Sequence, residues 1–346
     1  MKTKISGLLV LLVILSGCFS RQKIQKGSKN LTIAFYNVEN LFDTIDAPGF
    51  SDEEFTPEGS KVWNTKRYEK KLSDLARVFS SIHQNSLPAV IGMAEIENNT
   101  VLKDLVAQPL LLPAHYQIVH EESPDFRGID VALLYNSSKF TYLNHKAIPV
   151  HLQQEKNFRT RDILYVKGLI GKKDTLHIFV NHWSSRIGGE EKTEYKRVAE
   201  AEILRHAVDS IQRIIPDAKI FIMGDFNDEP GNKSILTALN AGPDCENAPA
   251  GELHNLMYQN YKNGLGTYSY KNNWNLLDNL IVSHALINPA KGWQVDCNSG
   301  QIFKADWMLY KNPKAGEAVP NRTYGGKNYF GGISDHLPVY VVLHKK

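Results

Sequence analysis

A four-layer α/β/β/α sandwich is the fold class that this chain of 346 residues predicts, and three observations predict it. β-rich runs recur at Leu31 to Asn37, Ala89 to Ile96, Ile129 to Tyr135, Ile163 to Ile170, Leu176 to Val180, Ile220 to Met223, Leu277 to Val282 and Leu337 to Leu343. Two apolar stripes at helical spacing stand among them: Tyr68, Leu72, Leu75, Ala76 and Phe79, then Tyr195, Val198, Ala201, Leu204, Val208, Ile211 and Ile215. The runs outnumber the helices, so crossover units are few; sheet packs on sheet and each helical stripe covers an outer face. The third observation is compositional: 42% hydrophobic against 22% charged residues supplies a sizeable core, with no internal repeat and no low-complexity segment.

In chain order, Met1-Lys2-Thr3-Lys4 is followed by an apolar run from Ile5 to Leu15 and by Ser16-Gly17-Cys18. A basic start, a short apolar core and a small-residue exit describe a secretory signal, and the run is too short for a membrane-spanning helix. Leu15-Ser16-Gly17-Cys18 also looks like the lipobox of bacterial lipoproteins. That resemblance implies cleavage before Cys18, lipidation of its thiol, and a place in a bacterial cell envelope, on the periplasmic face or the cell surface. Residues 1–17 are therefore read as a signal peptide, the polar and basic 18–30 as a flexible tether, and 31–346 as one domain.

Loss of Lys2 and Lys4 with the signal turns the formal charge of +3 into 38 basic against 37 acidic residues. No basic stripe of the kind that tracks long nucleic acid is visible. Beyond Cys18 only Cys245 and Cys297 remain, and their spacing leaves open one disulfide or two buried thiols. Between Asp43 and Trp63 lies a loop with Asp46, Asp52, Glu53, Glu54 and Glu58. Such a loop suits calcium, but its spacing matches no EF-hand and a solvated loop is the favoured reading. Tyr310 to Gly332 reads as a second long irregular stretch, of the sort that sets specificity beside a site.

The chemistry lies where polar residues interrupt strand ends. Asn37 and Glu39 follow the first run, Glu95 sits near the end of the second, and Asn181-His182 follows Val180. Asp225 and Asn227 close another run, Asp278 lies within Leu277 to Val282, and Ser334-Asp335-His336 precedes the last. Carboxylates, amides and imidazoles without a thiol are hard ligands for Mg²⁺, Mn²⁺ or Ca²⁺ rather than for structural zinc. The same residue types suit phosphoester hydrolysis, which needs an aligned water, donors to the nonbridging oxygens and help for the leaving oxygen. Each residue alone also has an ordinary structural reading as a cap, a turn or a satisfied core group.

Taken together and in order, Tyr36-Asn37-Val38-Glu39, Ala94-Glu95-Ile96-Glu97-Asn98, Asn181-His182-Trp183-Ser184, Gly224-Asp225-Phe226-Asn227-Asp228 and Ser334-Asp335-His336-Leu337-Pro338 resemble the successive signatures of the endonuclease/exonuclease/phosphatase family, the deoxyribonuclease I-like metal-dependent phosphoesterases. Arg127-Gly128-Ile129-Asp130-Val131-Ala132 and Leu276-Leu277-Asp278-Asn279-Leu280-Ile281 resemble its intermediate motifs, so the match runs from Asn37 to Val339. The resemblance implies the same four-layer sandwich and a divalent metal, Mg²⁺ foremost with Mn²⁺ or Ca²⁺ as alternatives. It makes Glu95 the central metal ligand, with Asn37, Glu39 and Asp335 near the metal or its waters. Asp225 would orient or deprotonate the attacking water and Asn227 would bind a phosphoryl oxygen. His336, steadied by Asp278, would polarise the phosphate, and His182 would stabilise charge or protonate the leaving group.

Two departures, Glu39 where many nuclease members have Asp and Met93-Ala94 where many have Leu-Gln, bear on metal geometry and substrate preference. Trp183, Ser184 and Arg127 are candidate substrate contacts, against core packing for Trp183 and a surface ion pair for Arg127. The expected substrate is a phosphodiester, nucleic acid favoured by family analogy. Phospholipid, sphingomyelin-like lipid or sugar phosphate is the alternative, and a non-catalytic tethered binding protein the alternative of another class. The membrane enters only through the lipid anchor, and no obligate protein partner is readable.

Overall fold

A computed structural model of the chain describes residues 30–83, 86–152, 154–171, 173–245, 251–271, 273–311 and 318–346. The expected signal peptide, Cys18 and the expected tether up to residue 29 lie outside them. The first half lays down β1 (Asn30–Leu41), α1 (Thr65–Ser81), β2 (Val90–Ile96), α2 (Asn99–Val106), β3 (Tyr116–His120), β4 (Asp130–Asn136), β5 (Phe140–Ile148), β6 (Ile163–Ile170) and β7 (Asp174–His182). Then come α3 (Glu190–Ile214), β8 (Ile220–Asp225), β9 (Ala241–Gly242), β10 (Leu253–Asn255), α4 (Tyr258–Lys262), β11 (Tyr268–Tyr270), β12 (Asn273–Asn275), β13 (Asp278–Ser283) and α5 (His284–Ile287). The chain ends with β14 (Trp293–Gln294), β15 (Gln301–Ile302), β16 (Leu309–Lys311), β17 (Ala318–Pro320), β18 (Tyr324–Gly325), β19 (Asn328–Tyr329) and β20 (Val339–Lys345).

One sheet runs β14-β20-β1-β2-β4-β3, with β15 also on β20, and the other runs β5-β6-β7-β8-β13-β10-β9. Alternation along β1 explains the layering. Ile33 and Phe35 join Val90, Leu133, Ile178, Val180, Phe221, Met223, Val339 and Val341 between the sheets. Ala34 and Tyr36 point the other way, onto Leu72, Leu75, Phe79, Leu102 and Leu105 of α1 and α2. Across the sandwich, Phe179, Ile220 and Ile222 meet Ala201, Leu204 and Val208 of α3. The four-layer sandwich predicted from pattern is the fold. Tyr195 and Ile215, read from sequence as part of the α3 stripe, are instead 39% and 43% exposed, Ile215 falling one residue past the end of the helix.

The structure bears on three further points of the sequence reading. Among the described residues of the stretch Tyr310 to Gly332, read as irregular, β16 pairs with β17 and β18 with β19 as short antiparallel ladders. The loop from Asp43 to Trp63 is largely solvated, as read, with Asp46, Glu53, Glu54 and Glu58 exposed, but it is anchored by Asp52, Phe55 and Trp63 at 2%, 7% and 1% exposure. Cys245 and Cys297 form a disulfide, their Cα atoms 6.0 Å apart.

Candidate active site

β1 runs parallel to β2, and β7 parallel to β8, so Asn37, Glu95, His182 and Asp225 all emerge at the same rim of the sandwich. β13 pairs antiparallel with β8, setting Asp278 directly opposite Asp225. An isolated bridge from Tyr268 to His336 holds the loop before β20 against the same rim. Reaching this arrangement requires unusual backbone: Glu39, Asn40, Glu95 and Asn227 have φ of +52°, +51°, +65° and +49°. Left-handed non-glycine residues are costly and collect where function over-determines them.

The centre of the cluster is Asp225, 2% exposed. Its Oδ2 accepts from Asn37 Nδ2 at 2.9 Å, and its Oδ1 accepts from the Asn227 backbone N–H at 2.9 Å. The Nε2 atoms of His182 and His336 each lie 3.7 Å from that Oδ2, and His182 Nε2 is 3.9 Å from Glu95 Oε1. Asn37 Nδ2 also donates to Glu95 Oε1 at 3.2 Å, while the Asn40 N–H donates to Glu95 Oε2 at 2.8 Å. His336 Nδ1 and Asp278 Oδ2 are 2.7 Å apart.

Electrostatics divide the groups. Burial pushes the Asp225 carboxyl up to about 7, against the pull of the His336 charge. Burial would lower His336, but the Asp278 and Asp225 carboxylates outweigh it and hold the imidazole well above its usual range, as a cation. His182 is held well below it by burial and by the neighbouring Arg161 and Arg127 guanidinium groups, and is neutral. The site thus pairs one cationic and one neutral imidazole across a carboxylate poised near neutrality.

Around the cluster opens a cleft of about 700 Å³ whose lining includes Arg127, Arg186, Asn227, Tyr268 and Asp335. A smaller recess of about 240 Å³ shares Glu95 and Asp335 with it and continues past Glu39, Lys61 and Tyr324. Asp335 pairs with Arg322 between the two. Glu39 stands on the recess side, its carboxylate accepting from the Thr323 N–H at 2.7 Å and the Tyr324 N–H at 3.3 Å. The ligand atoms that line these spaces around Glu95 are carboxylate and amide oxygens beside two imidazoles, with no thiolate, a set that fits an Mg²⁺-type cation sharing its shell with water and phosphate.

Two sequence expectations are corrected. Trp183 is 1% exposed and packs edge-on against Phe226 at 4.5 Å, so its ring belongs to the core under the site. Ser184, 7% exposed, gives its hydroxyl and N–H to Glu200 at 3.0 and 2.9 Å and faces away from the cleft. Arg127 lines the cleft and pairs with Asp125 at 3.3 Å. Asn227 lines the cleft but spends one amide hydrogen on the Trp183 carbonyl at 2.9 Å.

Supporting residues were missed. Arg161 donates to the His182 and Trp183 carbonyls at 3.1 and 2.6 Å and pairs with Asp125 at 3.0 Å. Lys71, 2% exposed, donates to the Glu39 carbonyl at 2.9 Å, to Thr323 Oγ1 at 2.7 Å and to the Ile333 carbonyl. One signal could have found Lys71: it lies three residues after Tyr68 and four before Leu75, on the apolar stripe of α1.

A family model described as "Endonuclease/Exonuclease/phosphatase family" matches residues 32–345. No curated protein sequence matches the chain. Among solved structures, D. rerio TDP2 complexed with single strand DNA product is 14% identical with a TM-score of 0.56, over 92% of this chain and 100% of that one. The human Nocturnin catalytic domain with bound sulfate is 16% identical with a TM-score of 0.54, over 92% and 95%. A Bacteroides thetaiotaomicron mannosyl-6-phosphatase is 16% identical with a TM-score of 0.54, over 90% and 99%. At these identities the structural likeness speaks for the fold, and the family model for the family.

Proposed function

The chain belongs to the endonuclease/exonuclease/phosphatase family of phosphoesterases, and from that premise we propose that it hydrolyses phosphodiester bonds with a divalent metal, nucleic acid being the favoured substrate. The observation that carries the proposal is the convergence of two imidazole Nε2 atoms, each 3.7 Å from one oxygen of Asp225, in a cleft open to solvent. His336, charged and fixed by Asp278, directs an N–H at a phosphoryl oxygen. Neutral His182 offers a second donor on the other flank. Asp225, held by Asn37 and the Asn227 N–H, orients a water and takes its proton, and Arg127 adds positive charge at the cleft wall. Glu95, with Asn37, Glu39 and Asp335 close by, would hold the cation, Mg²⁺ foremost with Mn²⁺ or Ca²⁺ in the same class, which neutralises charge developing on the phosphate when bound.

The favoured substrate draws on the cleft and the recess that both border Glu95 and Asp335, space for both substituents of a diester. The TDP2 structure with single strand DNA product adds a fold relative of that kind. A second reading, a lipid or sugar phosphate, draws on the near-neutral mature chain and on Ile187, 85% exposed at the cleft wall. Parallel assays on DNA, RNA, sphingomyelin and a hexose 6-phosphate decide between them: cleavage of the small ester or the lipid alone would displace nucleic acid. Anchoring through Cys18 is proposed with it. Metabolic labelling with a tagged fatty acid should mark the wild-type protein in a bacterial host and leave Cys18→Ser unlabelled.

A further inference from the structure

The recess beside Glu95 carries positive charge that the reaction above does not use, on Arg322 and Lys61, which both line it. The chain around each is pinned. On either side of Arg322, the Asn321 N–H donates to the Met308 carbonyl at 2.9 Å and the Thr323 N–H to Glu39 at 2.7 Å; its own carbonyl accepts from the Gly332 N–H at 3.2 Å. A Cβ on Gly332 would stand 1.9 Å from the Asn321 carbonyl oxygen, so only glycine permits this approach. The Lys61 carbonyl accepts from the Arg67 guanidinium at 2.6 Å and from the Tyr324 hydroxyl at 3.0 Å. Its ammonium stands 4.8 Å from the Tyr324 ring centroid and 4.9 Å from that of Phe55.

Among the described residues, neither cation pairs with a buried carboxylate. Arg322 pairs with Asp335, which the proposed reaction gives to the metal. Lys61 pairs at 3.6 Å with Glu54, whose side chain is 48% exposed, and reaches the Gly326 carbonyl at 3.4 Å. An exposed pair of that kind adds little stability. A guanidinium presents five N–H donors in a fork that matches a phosphate, so the bond to Asp335 and the approach to the Tyr268 hydroxyl leave others for a ligand. In the bare chain the carboxylates of Glu39, Glu95 and Asp335 outweigh the two cations at the recess by one charge; a divalent cation on those carboxylates reverses the sign. The recess, about 240 Å³, borders the cleft at Glu95 and Asp335, next to the place of the scissile phosphate. Resting on the nucleic-acid reading, we propose that the recess is a second phosphate subsite, where Arg322, with Lys61, holds the phosphate adjoining the scissile one in a polyanionic chain. A sugar phosphate or sphingomyelin has no such neighbour.

The test compares hydrolysis of dTpdT, which has the scissile phosphate alone, with dTpdTpdT, which has a neighbour whichever bond is cut. The wild type should favour the longer substrate by roughly tenfold or more in kcat/KM, mainly through KM, as a charge-assisted contact supplies. Arg322→Gln should lose most of that preference, Lys61→Gln part of it, and Arg322→Lys less than Arg322→Gln. A residue that merely positions Asp335 would lower both substrates alike. Binding gives a second readout: in an Asp225→Ala background with Mg²⁺, labelled single-stranded oligothymidylate should bind with a dependence of log Kd on log salt that Arg322→Gln reduces by about 0.7, one phosphate contact. Arg322 has a side chain 41% exposed, so its variants are placed to fold, and Lys61→Gln is an independent one. Equal kcat/KM on the two substrates in the wild type, an equal loss on both in Arg322→Gln, or an unchanged salt slope would overturn the subsite and leave the diesterase standing. Failure of the wild type to cut either substrate would remove the nucleic-acid reading and the subsite with it.

Discussion

At the scale of single residues, groups a few ångströms apart hold separate tasks in the proposed reaction, and each can be removed alone. Asp225→Ala, Glu95→Gln and His336→Ala should each cut kcat by about 10²- to 10⁴-fold with an unchanged circular dichroism spectrum, since general acid–base groups contribute on that order. Wild-type turnover in any one would remove that residue from the mechanism. Asp225 titrates at about 7, and its ionised form is the one that accepts a proton, so activity should fall as pH drops below that point. A bound cation favours the carboxylate, so rising metal concentration should move the midpoint downward; a profile flat from pH 5 to 8 would contradict the role. These residues were legible because polar side chains at strand ends have few reasons to recur in family order. Lys71, Arg161 and Asp125 were not, because they act on main-chain carbonyls and on other side chains brought near only by folding. Trp183 and Ser184 misled because β7 ends at His182 and the two residues after it pack inward, Trp183 on Phe226 and Ser184 on Glu200 of α3.

At the scale of elements, α1 and α3 support the site from outside the sheets. Lys71→Met in α1 would strand the Glu39 and Ile333 carbonyls, costing about 1–3 kcal/mol, and should speed hydrogen exchange in residues 322–336 while sparing β5 to β7. In α3, burial pushes Glu200, which receives Ser184, up to about 7 from 4.5. A carboxyl raised in the fold contributes stability that is fully present below about 4.5 and lost as pH rises through about 7, on the order of 3 kcal/mol. Glu200→Gln cannot titrate, so the wild-type midpoint should fall relative to the variant between pH 5 and 8; parallel curves would refute it. The main strands and both long helices were readable from period alone. β5 was not: its burial alternates poorly, with Leu143, Asn144 and Lys146 outward at a sheet edge, so no apolar face showed. α2, with eight residues, offers too few turns for a stripe to register.

At the scale of the molecule, two sheets and three apolar layers fix the rim on which everything converges, and the Cys245–Cys297 bridge closes a loop of 52 residues within it. Chain-entropy reasoning gives that closure about 4 kcal/mol, so a Cys245→Ser/Cys297→Ser protein should melt several degrees lower while keeping its metal-dependent turnover. The sandwich was legible because eight buried strands cannot be covered by two helices, whereas the pairing of two distant cysteines was not, since only the fold sets their separation. The most direct test of the central claim is hydrolysis by the purified protein of bis-p-nitrophenyl phosphate and of plasmid DNA, with Mg²⁺ or EDTA, beside Asp225→Ala. Diester cleavage that needs the metal and disappears in the variant is the expected result. Cleavage that survives EDTA or persists in Asp225→Ala, or no cleavage of any diester, would contradict it.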